Sequence, residues 1–141
     1  MTRDQDTPSR PHEISTKEQK AWELIEYQLG EPVMAYLNRE DCTEVMANAD
    51  GSIWVETHSE GMFRTDITLS AAKRRQIVQT VASAANKHCN EKEPTIGDVL
   101  PVLGARFQGV MEPASPDPVF TIRLPTSRII PLIEYAESGA I

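Results

Sequence analysis

Long apolar runs, clustered metal-type ligands and a surplus of positive charge are all missing from this 141-residue chain. No stretch approaches the ~20 apolar residues of a membrane-spanning helix. Cysteine occurs twice, at Cys42 and Cys89, far apart and at no zinc spacing; a disulfide stays open, and reduced, buried thiols are the expectation. The three histidines, His12, His58 and His88, fall on a tail, a turn and a helix end and make no ligand cluster. A net charge of −7 leaves no generally basic surface, so no direct nucleic-acid binding is expected. Aromatics are only 6% of residues, so aliphatic side chains must carry the core. The polar start of the chain is no secretory signal, and a cytoplasmic protein is expected.

Catalytic signatures are missing too. No Gly-rich segment ends in Gly-Lys-Ser or Gly-Lys-Thr, so no phosphate-cradling loop is present. Gly104 and Gly109 bracket a strand and form no dinucleotide fingerprint. No serine sits in a nucleophile elbow, and no pair of carboxylates stands out. A small hydrolytic enzyme has only composition in its favour.

What is there suffices for one domain with a single core. Residues 1–14 read as a disordered tail. Ser15 and Glu18 stand at capping-box spacing, and Trp22, Ile25 and Leu29 then recur with helical period. Gly30 and Pro32 end that helix, and a short second one is expected from Pro32 to Asn38. Strands are expected over 43–47, 52–57 and 62–67, with turns at 48–51 and 58–61. Within the second, Ile53 and Val55 lie on one face and Trp54 on the other. Ser70 is expected to cap a helix reaching His88, with Ile77, Val78, Val81, Ala82 and Ala85 as its apolar stripe. Lys73, Arg74, Arg75, Gln79 and Lys87 fall on the other face, either solvated or set against a partner or acidic lipid. A short stretch at 95–100, either irregular or a further strand, precedes strands at 105–111 and 119–124, and a last helix is expected over 131–138, stopped by Gly139. The order predicts α+β: a mostly antiparallel sheet of five to six strands with helices packed on it.

One arrangement carries chemistry. Arg106 points away from Phe107, and Arg123 points away from the Phe120, Ile122 and Leu124 face. If the strands pair about a loop centred between Ala114 and Ser115, the two arginines lie directly opposite on one face. Like charges across a strand pair are unfavourable unless an anion sits between them, and guanidinium groups match phosphate oxygens. An anion site is one reading. The other is that both point into water or pair with Glu112 or Asp98, and a one-residue slip would break the alignment. Trp22 and Trp54 read as core residues rather than stacking platforms, and Glu40, Asp41 and Glu44 as a soluble surface.

The segment Thr43-Glu44-Val45-Met46-Ala47-Asn48-Ala49-Asp50-Gly51-Ser52-Ile53-Trp54-Val55-Glu56 resembles the first sheet of the secretion ATPases. So do Leu100-Pro101, Gly104-Ala105-Arg106-Phe107-Gln108-Gly109, Phe120-Thr121-Ile122-Arg123, and Tyr135 to Gly139. Order and spacing agree over about residues 20–141, closest to the conjugal-transfer branch. The resemblance implies a PAS-like N-terminal domain over 15–141 in a homohexamer of two stacked rings, lying toward the inner membrane with other secretion components and with peripheral membrane contact. It implies ATP or ADP with Mg between this domain and a RecA-like motor, with Arg106 and Arg123 on the phosphates and His58 and Ser59 near base or ribose.

Two departures qualify it. Glu112-Pro113 stands where the family has two prolines, so an acid could neutralise one arginine. The chain also ends at Ile141, where the family continues into the motor, so it carries no P-loop, is not expected to be an enzyme alone, and is not expected to bind nucleotide tightly. It reads either as a truncated piece or as a stand-alone remnant. A stand-alone PAS-like sensor or protein-interaction module without nucleotide is the alternative function.

Overall fold

The computed structural model describes residues 15–90, 92–112 and 114–125. The tail at 1–14 and the helix expected over 131–138 lie outside them. Helix α1 (Thr16–Leu29) starts at the expected capping box: the Ser15 hydroxyl accepts from the Glu18 amide at 3.1 Å and the Glu18 carboxylate accepts from the Ser15 amide at 3.1 Å. Gly30, at φ 90°, closes α1 and leads into α2 (Glu31–Leu37), which begins one residue earlier than expected with Pro32 in its first turn.

Three strands follow, β1 (Cys42–Ala47), β2 (Ser52–Thr57) and β3 (Gly61–Thr68). Helix α3 (Ala71–Ala84) is capped by the Ser70 hydroxyl, which accepts from the Lys73 amide. It stops short of His88. Asn86 turns left-handed at φ 58°, the Lys87 amide donates to the Ala82 carbonyl at 2.8 Å, and the Asn86 amide donates to the Ser83 carbonyl at 3.0 Å. These two bonds satisfy the Ala82 and Ser83 carbonyls, which the Asn86 and Lys87 amides would have taken in a continued helix. Then come β4 (Thr95–Val99), β5 (Arg106–Val110) and β6 (Val119–Arg123). Of the two readings open for 95–100, the structure has the strand, at the edge of the sheet.

The six strands form one sheet in the order β3-β2-β1-β6-β5-β4, every neighbouring pair antiparallel. Two three-stranded meanders, joined by α3, therefore meet along the β1–β6 seam. Val45, Ile53, Val55, Phe107, Phe120 and Ile122 line one sheet face and are buried with Ile25, Leu29, Ile77 and Val78 of the helices. Phe107 and Phe120 stack with ring centres 5.4 Å apart. Gly109 lets α3 come close: a Cβ there would stand 3.1 Å from both γ-carbons of Val78. Both cysteines are buried and free, as expected.

Two side chains depart from expectation. Arg74, assigned above to an outward helix face, is only 2% exposed. Its guanidinium donates to the backbone carbonyls of Pro118 (2.6 Å), Ala49 (2.8 Å) and Leu69. It ties the β1–β2 turn, the start of α3 and the entry to β6 together, satisfying carbonyls that turns leave unpaired. Trp54 is not a core residue like Trp22. It is half-buried on the sheet face opposite the helices, where its indole N–H donates to the Ser52 hydroxyl at 3.1 Å.

Candidate functional site

The strand alternation that buries Phe107 and Ile122 turns Arg106 and Arg123 to the other face. The β5–β6 register pairs Phe107 with Ile122, Gln108 with Thr121 and Arg106 with Arg123, the last pair directly opposite as the sequence anticipates. Directly opposed residues on such a ladder have Cα atoms about 4.5–5.5 Å apart, within reach of one polyphosphate. The loop between them turns where expected: the Ala114 amide donates to the Met111 carbonyl at 3.0 Å, and Ser115 accepts its place in the turn by donating its hydroxyl to the Asp117 carbonyl at 2.6 Å.

Arg106, Arg123, Gln108, Thr121 and Glu44 surround a shallow depression of about 220 Å³. Two guanidinium groups, an amide and a hydroxyl can all donate to an oxyanion there. Gln108 and Thr121 follow from the alternation that identifies the arginines, one step further along each strand. A larger hollow of about 470 Å³ beside the end of α3 includes Gln79, Ser83, Lys87 and His88, but its Lys87 already pairs with Asp98 at 3.3 Å.

The acids fall otherwise than expected. Neither Glu112 nor Asp98 meets the arginine pair. Glu112 takes Arg75 at 2.9 Å, and its carboxyl is held below the usual range first by its own backbone amide and then by that guanidinium. Asp98 takes Lys87. The acid beside the site is Glu44, which is paired across the β1–β6 seam with Arg123 and stands 3.6 Å from its Nη2. No local sequence signal marks this contact, because it depends on which strand lies next to β6.

His58 and Ser59 occupy the β2–β3 turn at the same end of the sheet, and do not line the depression. Their strand is two positions from β6, roughly 10 Å across the sheet. Asp41 holds this turn: its carbonyl accepts from the His58 amide at 2.6 Å and its carboxylate accepts from the Ser59 hydroxyl at 2.9 Å. The Arg39 guanidinium grips the same carboxylate with two bonds, at 2.7 and 2.9 Å, and with Ser59 keeps Asp41 below the usual carboxylate range. Among the described residues no helix is long and apolar enough to cross a membrane, and no three His, Cys, Asp or Glu residues are placed to hold a metal ion.

Comparison with known proteins gives concordant findings. No family model matches the sequence. The probable conjugal transfer protein TrbB of Sinorhizobium fredii is 32% identical over 117 residues, which are 83% of this chain and 36% of that protein. The conjugal transfer protein TrbB of Rhizobium radiobacter is 31% identical over 114 residues, 81% of this chain and 35% of that protein. The chain thus spans about a third of the length of the curated relatives it matches. Its fold matches the crystal structure of the VirB11 ATPase from the Brucella suis type IV secretion system in complex with sulphate, with TM-score 0.75 and 23% identity, over 89% of this chain and 37% of that one.

Proposed function

Because this chain belongs to the type IV secretion traffic ATPase family and corresponds to its N-terminal domain, we propose that it forms the nucleotide-contacting ring of a hexameric ATPase that powers conjugative transfer. The observation that supports this is the directly opposed pair Arg106 and Arg123 on the open sheet face. Two cations held side by side repel each other. A polyphosphate placed between them turns that repulsion into two charge-assisted contacts.

In this reading the open face forms one wall of an ATP site, and a motor domain supplies the P-loop and the Mg²⁺ ligands. Arg106 and Arg123 neutralise charge on the transferring phosphoryl group, where fixed cations lower the barrier most. Gln108 and Thr121 add neutral donors beneath the phosphates. His58 and Ser59 lie at the same end of the sheet, on the side where base or ribose would extend. Family likeness supports a homohexamer that works beside other secretion components, cytoplasmic and in peripheral contact with the inner membrane.

The test is ATP hydrolysis by a protein in which this domain is joined to its motor. Arg106→Ala and Arg123→Ala are each expected to lower kcat on the order of a hundredfold, the scale of losing one oxyanion donor. Unchanged hydrolysis in both variants removes the proposed role.

A further inference from the structure

The row of side chains that holds the arginine pair continues across the seam. Cα partners place Glu56 opposite Glu44, Glu44 opposite Arg123, and Arg123 opposite Arg106. Four neighbouring strands thus present two acids and then two bases on one face. Each like-charged neighbour pair is unfavourable, and the one attractive contact in the row is the central one, Glu44 to Arg123. Its two members are unequally free. The Glu44 side chain is 15% exposed, the Arg123 side chain 69%. At 3.6 Å the contact is an ion pair without a hydrogen bond, so the guanidinium rests against a largely buried carboxylate and is not clasped by it.

Building on the phosphate-binding reading of Arg106 and Arg123, we propose that Glu44 is a specificity-determining residue of that site, an internal counter-anion that a phosphate must outcompete for Arg123. Arg123 Nη2 stands 3.6 Å from the Glu44 carboxylate, and that contact offsets part of the repulsion from Arg106. An anion recruits Arg123 only by offering more than one carboxylate's worth of negative charge. The site therefore disfavours singly charged anions and favours a polyphosphate chain long enough to meet both arginines at once. When the phosphate leaves, Glu44 takes Arg123 back, so the acid also speeds release. It touches the arginine and not the reacting atoms, and it acts through that arginine's position.

The experiment titrates this chain with inorganic tripolyphosphate, and separately with acetate, following the arginine Nε–H and strand amide resonances by NMR. Glu44→Gln keeps the shape and removes the charge. It is expected to bind tripolyphosphate about two- to fivefold more tightly, the scale of an exposed ion pair, and to gain a measurable response to acetate. A merely structural role predicts weaker binding or none. The gain is expected to vanish in an Arg123→Gln background, because the acid then has nothing to withhold. If Glu44→Gln binds no better while Arg106→Gln and Arg123→Gln both weaken binding, the role of Glu44 is overturned and the phosphate site stands. If no variant, nor the natural sequence, shifts an arginine resonance with tripolyphosphate, both are overturned.

Discussion

Arg106 and Arg123 face each other as direct partners on β5 and β6, on the sheet side opposite the helices, with a carboxylate on the flank of only one of them. That asymmetry separates their contributions to stability. Arg106 has repulsion from Arg123 and no acid paired with it across either neighbouring strand, its other partner being Val99. Replacing it by Gln is expected to stabilise the chain by about 0.2–1 kcal/mol at low ionic strength. The gain should shrink toward zero in ~1 M salt as the charges are screened. Urea denaturation at the two salt concentrations checks this. Arg123→Gln, which also loses Glu44, is expected to gain less.

Arg74 should be among the most sensitive positions outside the apolar core. Its removal leaves the Ala49, Leu69 and Pro118 carbonyls without their donor, at about 1–3 kcal/mol for each that water cannot reach. Arg74→Met is expected to lower stability by about 3 kcal/mol or more. Arg74→Lys should recover little, because one ammonium cannot reach three directions as the guanidinium fork does. The midpoint of urea unfolding, with an unchanged slope, is the measurement.

Gly109→Ala tests the close approach of α3 to β5. The added methyl would meet the Val78 γ-carbons and Phe107 Cε1, each at 3.1 Å, all within the packed core. A loss of about 1–3 kcal/mol is expected, with a correspondingly lower Tm. The double variant Gly109→Ala with Val78→Ala should recover part of that loss, since it removes the methyl groups that collide.

The Asp41 clasp on the β2–β3 turn makes part of the acid stability curve. Its carboxyl lies below the ordinary carboxylate value through hydrogen bonds from Arg39 first and Ser59 second. A carboxyl that holds protons less readily in the folded than in the unfolded chain stabilises the fold above its unfolded value, about pH 4. That contribution is lost as pH falls through the lowered folded value. The stability difference between the natural chain and Asp41→Asn is therefore expected to be constant from neutral pH down to about pH 4 and to close below it. Thermal melts across that range read it directly.

Local rules made much of this molecule legible in advance. The capping box at Ser15, the Ser70 cap, the Asn48–Gly51 turn and the alternation of Ile53, Trp54 and Val55 each depend on neighbours a few residues away. The Arg106–Arg123 pairing belongs with them, because a hairpin's register is fixed by where its loop turns. The end of α3 is not legible in this way, since its apolar stripe fades gradually while the stop itself is a backbone event at Asn86. The surroundings of Arg74 and Trp54 are hidden for a deeper reason: helix and strand periodicity assign a direction, but not what lies in that direction.

The sequence by itself determined most of the elements and most of their inward faces, and it offered the convergence of two guanidinium groups across one hairpin as one register, since these follow from short-range sterics and period. Only the tertiary structure decided that β1 and β6 lie side by side, and so that Glu44 meets Arg123 and that Arg74 is enclosed by three separate loops. Strand neighbours brought together from distant parts of the chain are selected by burial of a whole sheet face, a collective quantity that no local pattern encodes.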